Sequence, residues 1–357
     1  METTKTKSTK DEEEWLVEGF VHCRAKLSSG ITMHFVEKGH GTPVILCHGW
    51  PDCWYTWRHQ MVALAANGYR AIAPDQRGFG GTSAPREVSA YTQEVLVADL
   101  VALLDVLHLQ RAIFIGHDWG GGIVWNMALH HPNRVQAVGA VSTPFFPVNP
   151  TKNPLHAMEK NPGRFDYQLY FQEPGRAERE FEEDVAYTLT CLIRGSSEQD
   201  LAPLKGLKLS TSTVRQRGGM LKGFPPKSEV TRSVLLSEDD LRYYVHQFTQ
   251  SGFHGGLNWY RNVEANWQWN KKTAGRKITP PALMITSGQD SVFSPSMTQH
   301  MEQWVAQLER AHVERAAHWP HQECPQEVNA TLLRWLSLVA VEPDFPRRCN
   351  QQQCARL

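Results

Sequence analysis

Gly116-His117-Asp118-Trp119-Gly120 is the stretch whose residue types and spacing best fit chemistry. It has the form G-x-S-x-G, in which a nucleophile stands on a sharp strand-to-helix turn, with Asp in the place of Ser. An apolar run, Ala112–Ile115, precedes it, and a helix is expected from near Gly121. Glycines on both sides permit the tight turn, which would project the Asp118 side chain into a pocket. On these five residues alone, a plain turn with Asp118 capping a helix N-terminus is an equally good reading. A carboxylate nucleophile does not suit acyl transfer, because its product would be an unstable anhydride. It suits displacement at saturated carbon, giving an alkyl ester that water then hydrolyses. Epoxides and alkyl halides are the two substrate types of this kind. An epoxide oxygen needs a donor such as a Tyr hydroxyl, whereas a halide needs indole or amide N–H groups.

Chain order supplies the partners. An α/β-hydrolase places its nucleophile first, then an acid after a later strand, then a histidine after the last strand. Asp290 follows an apolar run ending at Thr286, and His318 follows one ending near Arg315. Both positions fall at carboxyl ends of parallel strands, where open α/β sheets place their sites. His312 and His321 compete with His318, but His312 falls inside the strand and His321 in the next segment. His48-Gly49-Trp50-Pro51 supplies the remaining part, either as an ordinary tight turn or as half of an oxyanion hole. Such a hole needs backbone N–H groups aimed at developing charge, and Trp50 and Trp119 are the expected donors.

These residues need a scaffold. Two strand-like runs, Glu18–Lys26 and Ile31–Glu37, flank the turn-forming Ser28-Ser29-Gly30. The runs Pro43–Cys47, Tyr69–Ala73, Ala112–Ile115 and Val135–Val141 are apolar on both faces, as in a parallel sheet covered by helices. Leu96, Leu100, Leu103, Leu104 and Leu107 make one stripe on a helix. From about Pro144 to Lys277 there are no clean strands, only helix-like segments broken by Pro and Gly. The strand pattern resumes at Ala282–Thr286, followed by Ser294-Pro295 and a helix, a strand near His312–Arg315, and a last helix from about Pro325 to Leu338. The expected fold class is α/β: the α/β-hydrolase fold, a mostly parallel central sheet flanked by helices, with a helical cap inserted. The divisions are an N-terminal tail 1–15, core 16–143, cap 144–277, core 278–340 and a C-terminal tail 341–357.

Composition excludes other classes. Lys plus Arg and Asp plus Glu are both 37, so the net charge is zero and nucleic acid is not an expected partner. No apolar run reaches the roughly 18 residues of a membrane helix, and Met1–Glu14 has no signal-peptide pattern. Seven cysteines without zinc spacing read as reduced thiols in an intracellular protein. The chain ends Ala355-Arg356-Leu357, similar to the S-K-L type of peroxisomal address, so peroxisome and cytoplasm are both expected compartments.

From about Glu18 to Val339 the chain resembles the hydrolase domain of the soluble epoxide hydrolases of animals. The matching stretches are His48–Pro51, Gly116–Gly121, Phe165–Gly175, Leu257–Asn262 and His318-Trp319, of which Phe165–Gly175 and Leu257–Asn262 are the most specific. The resemblance implies that Tyr167 and Tyr260 are the ring-opening donors; the residues alone offer only six tyrosines in the insertion (167, 170, 187, 243, 244 and 260). Trp50 stands where Phe is commoner in the family, and Ala317 replaces a usual Gly. The N-terminal phosphatase domain of the two-domain members is expected to be absent, because only 47 residues precede His48.

The expected chemistry is attack by Asp118 on a lipophilic, fatty-acid-type epoxide while Tyr167 and Tyr260 donate to its oxygen. His318, oriented by Asp290, then activates water against the ester. Trp50, Trp119, Phe165, Trp259 and Trp319 are expected to line the substrate site, with the other aromatics of the insertion packing against the core. No metal or cofactor, no membrane insertion and a monomer are expected. A haloalkane dehalogenase of the same fold, or a non-catalytic small-molecule receptor, remain the alternatives. Trp50 in place of an Asn halide donor, together with the tyrosine pair, weighs against the first.

Overall fold

A computed structural model describes residues 15–340 and the backbone of residues 355 and 356. The remainder of the two expected tails lies outside the described residues. Trp15, assigned to the N-terminal tail by the sequence reading, stacks on His246 at 3.9 Å between ring centroids.

The strands are β1 (Val21–Lys26), β2 (Thr32–Gly39), β3 (Thr42–Cys47), β4 (Tyr69–Pro74), β5 (Ala112–His117), β6 (Val135–Val141), β7 (Ala282–Ser287), β8 (Leu308–Val313) and β9 (Ala355–Arg356). They form one sheet in the order β8-β7-β6-β5-β3-β4-β2-β1-β9. Neighbours from β4 through β8 pair in parallel, while β2 pairs antiparallel with β4 and β1, and β9 with β1. The sheet is thus mostly parallel, as the doubly apolar runs require. Every residue of β3, β5 and β7 is buried. Each buried Val, Leu or Ile there contributes about 1.5–3 kcal/mol of transfer free energy. β1 begins at Val21 and not at Glu18, because Gly19 takes a left-handed φ of 78° and Phe20 N bonds back to Val17 O.

Helices α1 (Arg58–Ala66), α2 (Gln93–Val106) and α3 (Trp119–His130) cover the sheet. Thr92 caps α2 by accepting from Val95 N, and the leucine stripe faces the core with Leu96, Leu100, Leu103 and Leu104 buried. His108, at φ 55°, turns the chain away after that helix. Between β6 and β7 the described residues form helices and turns, including α4 (Asp166–Tyr170), α5 (Val185–Leu192), α6 (Glu238–Ser251), α7 (His254–Tyr260) and α8 (Val263–Asn270). The final helix, α9 (Pro325–Val339), begins with the proline suited to a first helical turn.

One expected helix does not form. After Ser294-Pro295 the chain makes two short 3₁₀ turns, Pro295–Thr298 and Met301–Gln303. His300 between them sits at φ 67°, which no α-helix accommodates, and Val305 bridges to Ile278. β8 also ends at Val313, before the expected Arg315. No helix among the described residues is long and apolar enough to cross a membrane.

Candidate active site

The loops that leave β3, β5, β7 and β8 at their carboxyl ends bring together the residues singled out in the sequence. Asp118 follows β5 at φ 51°, ψ −123°, a strained conformation for a non-glycine residue. It occupies the N-cap of α3, yet its side chain makes no capping bond, so the plain-cap reading does not hold. The turn is as tight as the flanking glycines allow: a Cβ on Gly120 would collide with the carbonyls of Cys47 and His48, and one on Gly116 with that of Gly120.

The Asp118 carboxylate is buried and points into the site. Its Oδ1 accepts from Trp50 N at 2.9 Å, and its Oδ2 lies 3.7 Å from His318 Nε2. On the other face of that imidazole, Nδ1 donates to Asp290 Oδ2 at 3.0 Å. Asp290 is itself held by Val292 N at 2.7 Å and Phe293 N at 2.9 Å, both on its Oδ1. His312 is elsewhere, bonded to Thr286 and Glu314. His321 is buried one layer below, 2.7 Å from Thr56 Oγ1.

Burial alone would push the His318 pKa down. The Asp290 charge, the hydrogen bonds to both carboxylates and the Asp118 charge outweigh it and raise it to about 10. Burial pushes both carboxyls up, and the cationic imidazole pulls both below the ordinary carboxylate value. The resting site is therefore an anion–cation–anion row.

The Trp50 N–H is aimed by its neighbours. Trp50-Pro51 is a cis peptide, and His48 Nδ1 donates to Gly49 O at 2.8 Å while its Nε2 accepts from Gln76 N at 3.0 Å. This holds the Gly49 carbonyl against the imidazole and leaves the following N–H free for Asp118.

Six tyrosines come from the helices between β6 and β7, and four of them have committed hydroxyls. Tyr170 donates to Glu180, Tyr187 to Pro225 O and Tyr244 to Asp52, and Tyr243 accepts from the Trp54 indole. Tyr167 and Tyr260 differ. Their rings are 5.9 Å apart, Tyr260 packs edge-on to Trp119 at 5.0 Å and to Trp50 at 5.9 Å, and both hydroxyls feel the Asp118 charge. Burial first, and then neighbouring negative charge, raises both tyrosine pKa values, so both hydroxyls keep their protons at neutral pH. Gln168 Nε2 donates to the Tyr167 hydroxyl at 3.3 Å.

The expected lining residues fall into two groups. Trp50 and Trp119 flank Asp118. Trp259 stands behind Trp119 with its indole on Arg77 O, and Trp319 packs on His318 at 4.8 Å with its indole on Asp52 Oδ2. Phe165 is half-buried beside α4. Trp269 stacks on His130 and Trp267 binds Asn149 O, both as packing.

Sequence reasoning missed several supporting residues. The His318 carbonyl accepts from His117 Nε2 at 2.7 Å and from Ser142 Oγ at 3.2 Å. Glu323 collects the backbone N–H groups of Ala317, Trp319 and Ser196. Its signal was weak: it is the sole acid between His318 and Pro325, within reach of the histidine loop. One ligand atom from each of Asp52, His117 and His321 lies within 4.8 Å of the others, a spacing that suits a metal. The Asp52 oxygens there are already taken by Tyr244 and Trp319.

Comparison with known proteins gives the family of the chain. Residues 42–325 match the family model described as alpha/beta hydrolase fold. The chain is 46% identical over 322 residues to Bifunctional epoxide hydrolase 2 of Sus scrofa, covering 90% of this chain and 56% of that protein, so it spans about half the length of such relatives. It is 40% identical to Epoxide hydrolase A of Mycobacterium tuberculosis over 318 residues, 87% of this chain and 95% of the other. Among solved structures, an epoxide hydrolase from Vigna radiata superposes with a TM-score of 0.78 at 32% identity, covering 90% of this chain and 99% of that one. Epoxide Hydrolase A from Mycobacterium thermoresistibile gives 0.78 at 36%, covering 90% and 100%.

Proposed function

The chain belongs to the alpha/beta hydrolase fold family and, within it, to the epoxide hydrolases, and from that premise we propose that it converts lipophilic, fatty-acid-type epoxides to vicinal diols through an ester on Asp118. The helices between β6 and β7 then act as a cap that closes over the epoxide. Asp118 Oδ2, the oxygen not tied to Trp50 N, attacks one epoxide carbon. The carbon–oxygen bond breaks, and the ring oxygen takes a proton from Tyr167 or Tyr260. Ester formation removes the Asp118 charge that helps hold the His318 proton; that proton passes, through water, to the tyrosinate left by ring opening, and the neutral imidazole becomes the base. His318 Nε2 then deprotonates a water that attacks the ester carbonyl. The oxyanion is held by Trp50 N and Trp119 N, and collapse releases the diol and restores the carboxylate.

The observation that carries this reading is the tyrosine pair. Two buried, protonated hydroxyls, with no carbonyl or carboxylate partner among the described residues, sit beside a strained carboxylate backed by a histidine, whereas Tyr170, Tyr187 and Tyr244 donate to such groups and Tyr243 accepts from an indole. That is a donor set for an oxygen leaving group. The buried Trp50 Nε1, which has no hydrogen-bond partner among the described residues, favours a halide instead. Single-turnover reaction of excess enzyme with an epoxy fatty acid in heavy-oxygen water tests the route. Unlabelled diol in the first turnover is expected, since its new oxygen comes from Asp118. Label in the first turnover would overturn the ester. Release of halide from a haloalkane in place of diol from an epoxide would favour the second reading.

A further inference from the structure

The chain as a whole carries no net charge, but the charge is not evenly spread. Residues 202–232, in the stretch between β6 and β7, hold seven Lys and Arg and a single acid, Glu229. Four of those cations are committed. Arg215 pairs with Asp166 at 2.6 Å and Lys227 with Asp184 at 2.6 Å, and Arg232 donates to Leu236 O. Arg217 staples two loops together, its guanidinium donating to Ser210 O at 2.6 Å and to Lys222 O at 2.9 Å.

That staple brings the backbones at Lys208 and Lys222 onto one guanidinium. Lys205, Lys208 and Lys222 are exposed, and none has an ion-pair partner among the described residues. Glu180, an acid that reaches these loops, spends its oxygens on Met220 N, Leu221 N and the Tyr170 hydroxyl. Two leucines stand out of the same surface: Leu201 is 47% exposed and Leu207 41%. Leu207 N closes a turn on Leu204 O at 3.1 Å, with Gly206 at φ 82°, so Lys205, Leu207 and Lys208 sit together on one turn. A single exposed leucine needs no explanation. A pair beside three unpaired cations is the composition of a surface that meets anionic headgroups and the apolar layer under them.

We propose that this face is a docking surface for an anionic lipid bilayer, with Lys205, Lys208 and Lys222 on the headgroups and Leu201 and Leu207 in the interface beneath them. Ser210, Thr211 and Ser212, in the same segment, line a cleft of about 400 Å³ with Arg164 and with Ser291, the exposed neighbour of Asp290. The face that meets lipid is therefore on the side of the molecule where the loop after β7 reaches the surface. A bilayer needs no matching shape, which suits irregular loops held by one arginine, whereas an acidic protein would have to fit them. Attachment of this kind is weak, reversible and screened by salt. It needs no particular chemistry at Asp118, so it stands or falls apart from the function proposed above.

Co-sedimentation of the whole chain with extruded vesicles provides the test. Vesicles of roughly one-third phosphatidylserine in phosphatidylcholine are expected to retain the protein about tenfold better than phosphatidylcholine alone, and the difference shrinks as salt rises. K205Q/K208Q/K222Q lowers partitioning about 10- to 100-fold, near what three lysines contribute at an anionic surface. L201S/L207S lowers it about 3- to 10-fold and keeps the salt dependence. K26Q/K152Q/K277Q removes the same charge from exposed lysines elsewhere and stays within about twofold of the unaltered protein. All three variants keep the urea midpoint of the unaltered protein, as changes at exposed positions do. Failure to bind phosphatidylserine vesicles at low salt overturns the docking surface. An equal loss in K26Q/K152Q/K277Q overturns it too, since the attraction would then belong to the net charge and not to this face. Binding to soluble polyglutamate as tight as to vesicles, with L201S/L207S unaffected on both, points to an acidic protein partner and overturns the bilayer.

Discussion

His318 and His117 are buried side by side with ring centroids 4.8 Å apart, yet one is held as a cation and the other as a neutral ring. The His318 ring is flanked by Asp290 and Asp118, and its pKa rises to about 10 against burial. For His117, burial dominates, the nearby His318 charge adds to it, and its pKa falls to about 3. His321, packed 4.5 Å from His117, is depressed for the same reasons. Asp52, the carboxylate nearest that lower pair, is itself pushed up to about 6 by burial and spends its oxygens on Tyr244 and Trp319. Burial thus makes a histidine inert unless fully ionised carboxylates are brought to it. The upper layer of this site has them. The lower layer has neutral donors that fix where the upper layer sits.

Breaking the upper layer has the largest effect. Asp118→Ala is expected to lower diol formation by about 10⁴-fold or more, whereas His318→Gln leaves the first half-reaction and traps a substrate-sized mass on Asp118 in intact-protein mass spectrometry. Normal turnover by His318→Gln would end the assignment of the base. Asp290→Asn removes the leading charge that holds the His318 proton. Turnover falls about 10²–10⁴-fold, and the imidazole resonance titrates well below 10 in an NMR pH series. An unmoved titration would mean that Asp118 alone sets it. The double variant Y167F/Y260F should cost roughly 10³-fold in the ring-opening step, measured by stopped-flow loss of protein fluorescence, with a preformed ester hydrolysed near the normal rate.

The lower layer shows smaller effects of a different kind. Asp52→Asn leaves a single side-chain oxygen for two buried donors. It should lower unfolding stability by about 1–3 kcal/mol in urea, while the His318 titration stays close to its place. His321→Gln is expected to change turnover by roughly twofold at most, since its ring supplies packing and one bond to Thr56. A large loss in this variant would contradict the division into a layer that holds a charged histidine and one whose histidines stay neutral.

Much of this site was legible because its parts sit at strand ends. Doubly apolar runs of five or six residues read as buried parallel strands, and the residues just beyond β3, β5, β7 and β8 are Trp50, Asp118, Asp290 and His318. The tyrosines were a different matter. Nothing local separates Tyr167 and Tyr260 from Tyr170, Tyr187, Tyr243 and Tyr244, because what distinguishes them is the partner each hydroxyl finds across the fold; the family motifs were needed to choose. The helix expected after Pro295 was lost to one residue, His300, whose left-handed backbone no periodicity reveals. Glu323 was invisible for a related reason: its role is to accept from backbone amides, which every sequence has.

Glu323 joins two segments of the chain that lie far apart in sequence. Its Oε2 takes Ser196 N at 2.9 Å and Ala317 N at 3.0 Å, and its Oε1 takes Trp319 N at 3.1 Å. Ser196 lies in the turn between Leu192 and Glu198, in the stretch between β6 and β7, and Ala317 and Trp319 bracket the histidine. A displacement of the Ser196 segment therefore pulls on the same carboxylate that orders the histidine loop, and an amide more than a hundred residues away shares its acceptor with the two beside the histidine. Solvent exchange at Ala317 and Trp319 is therefore expected to report displacement of the Ser196 segment. Replacing Glu323 with Gln is expected to speed that exchange, because an amide offers one acceptor oxygen to three backbone donors.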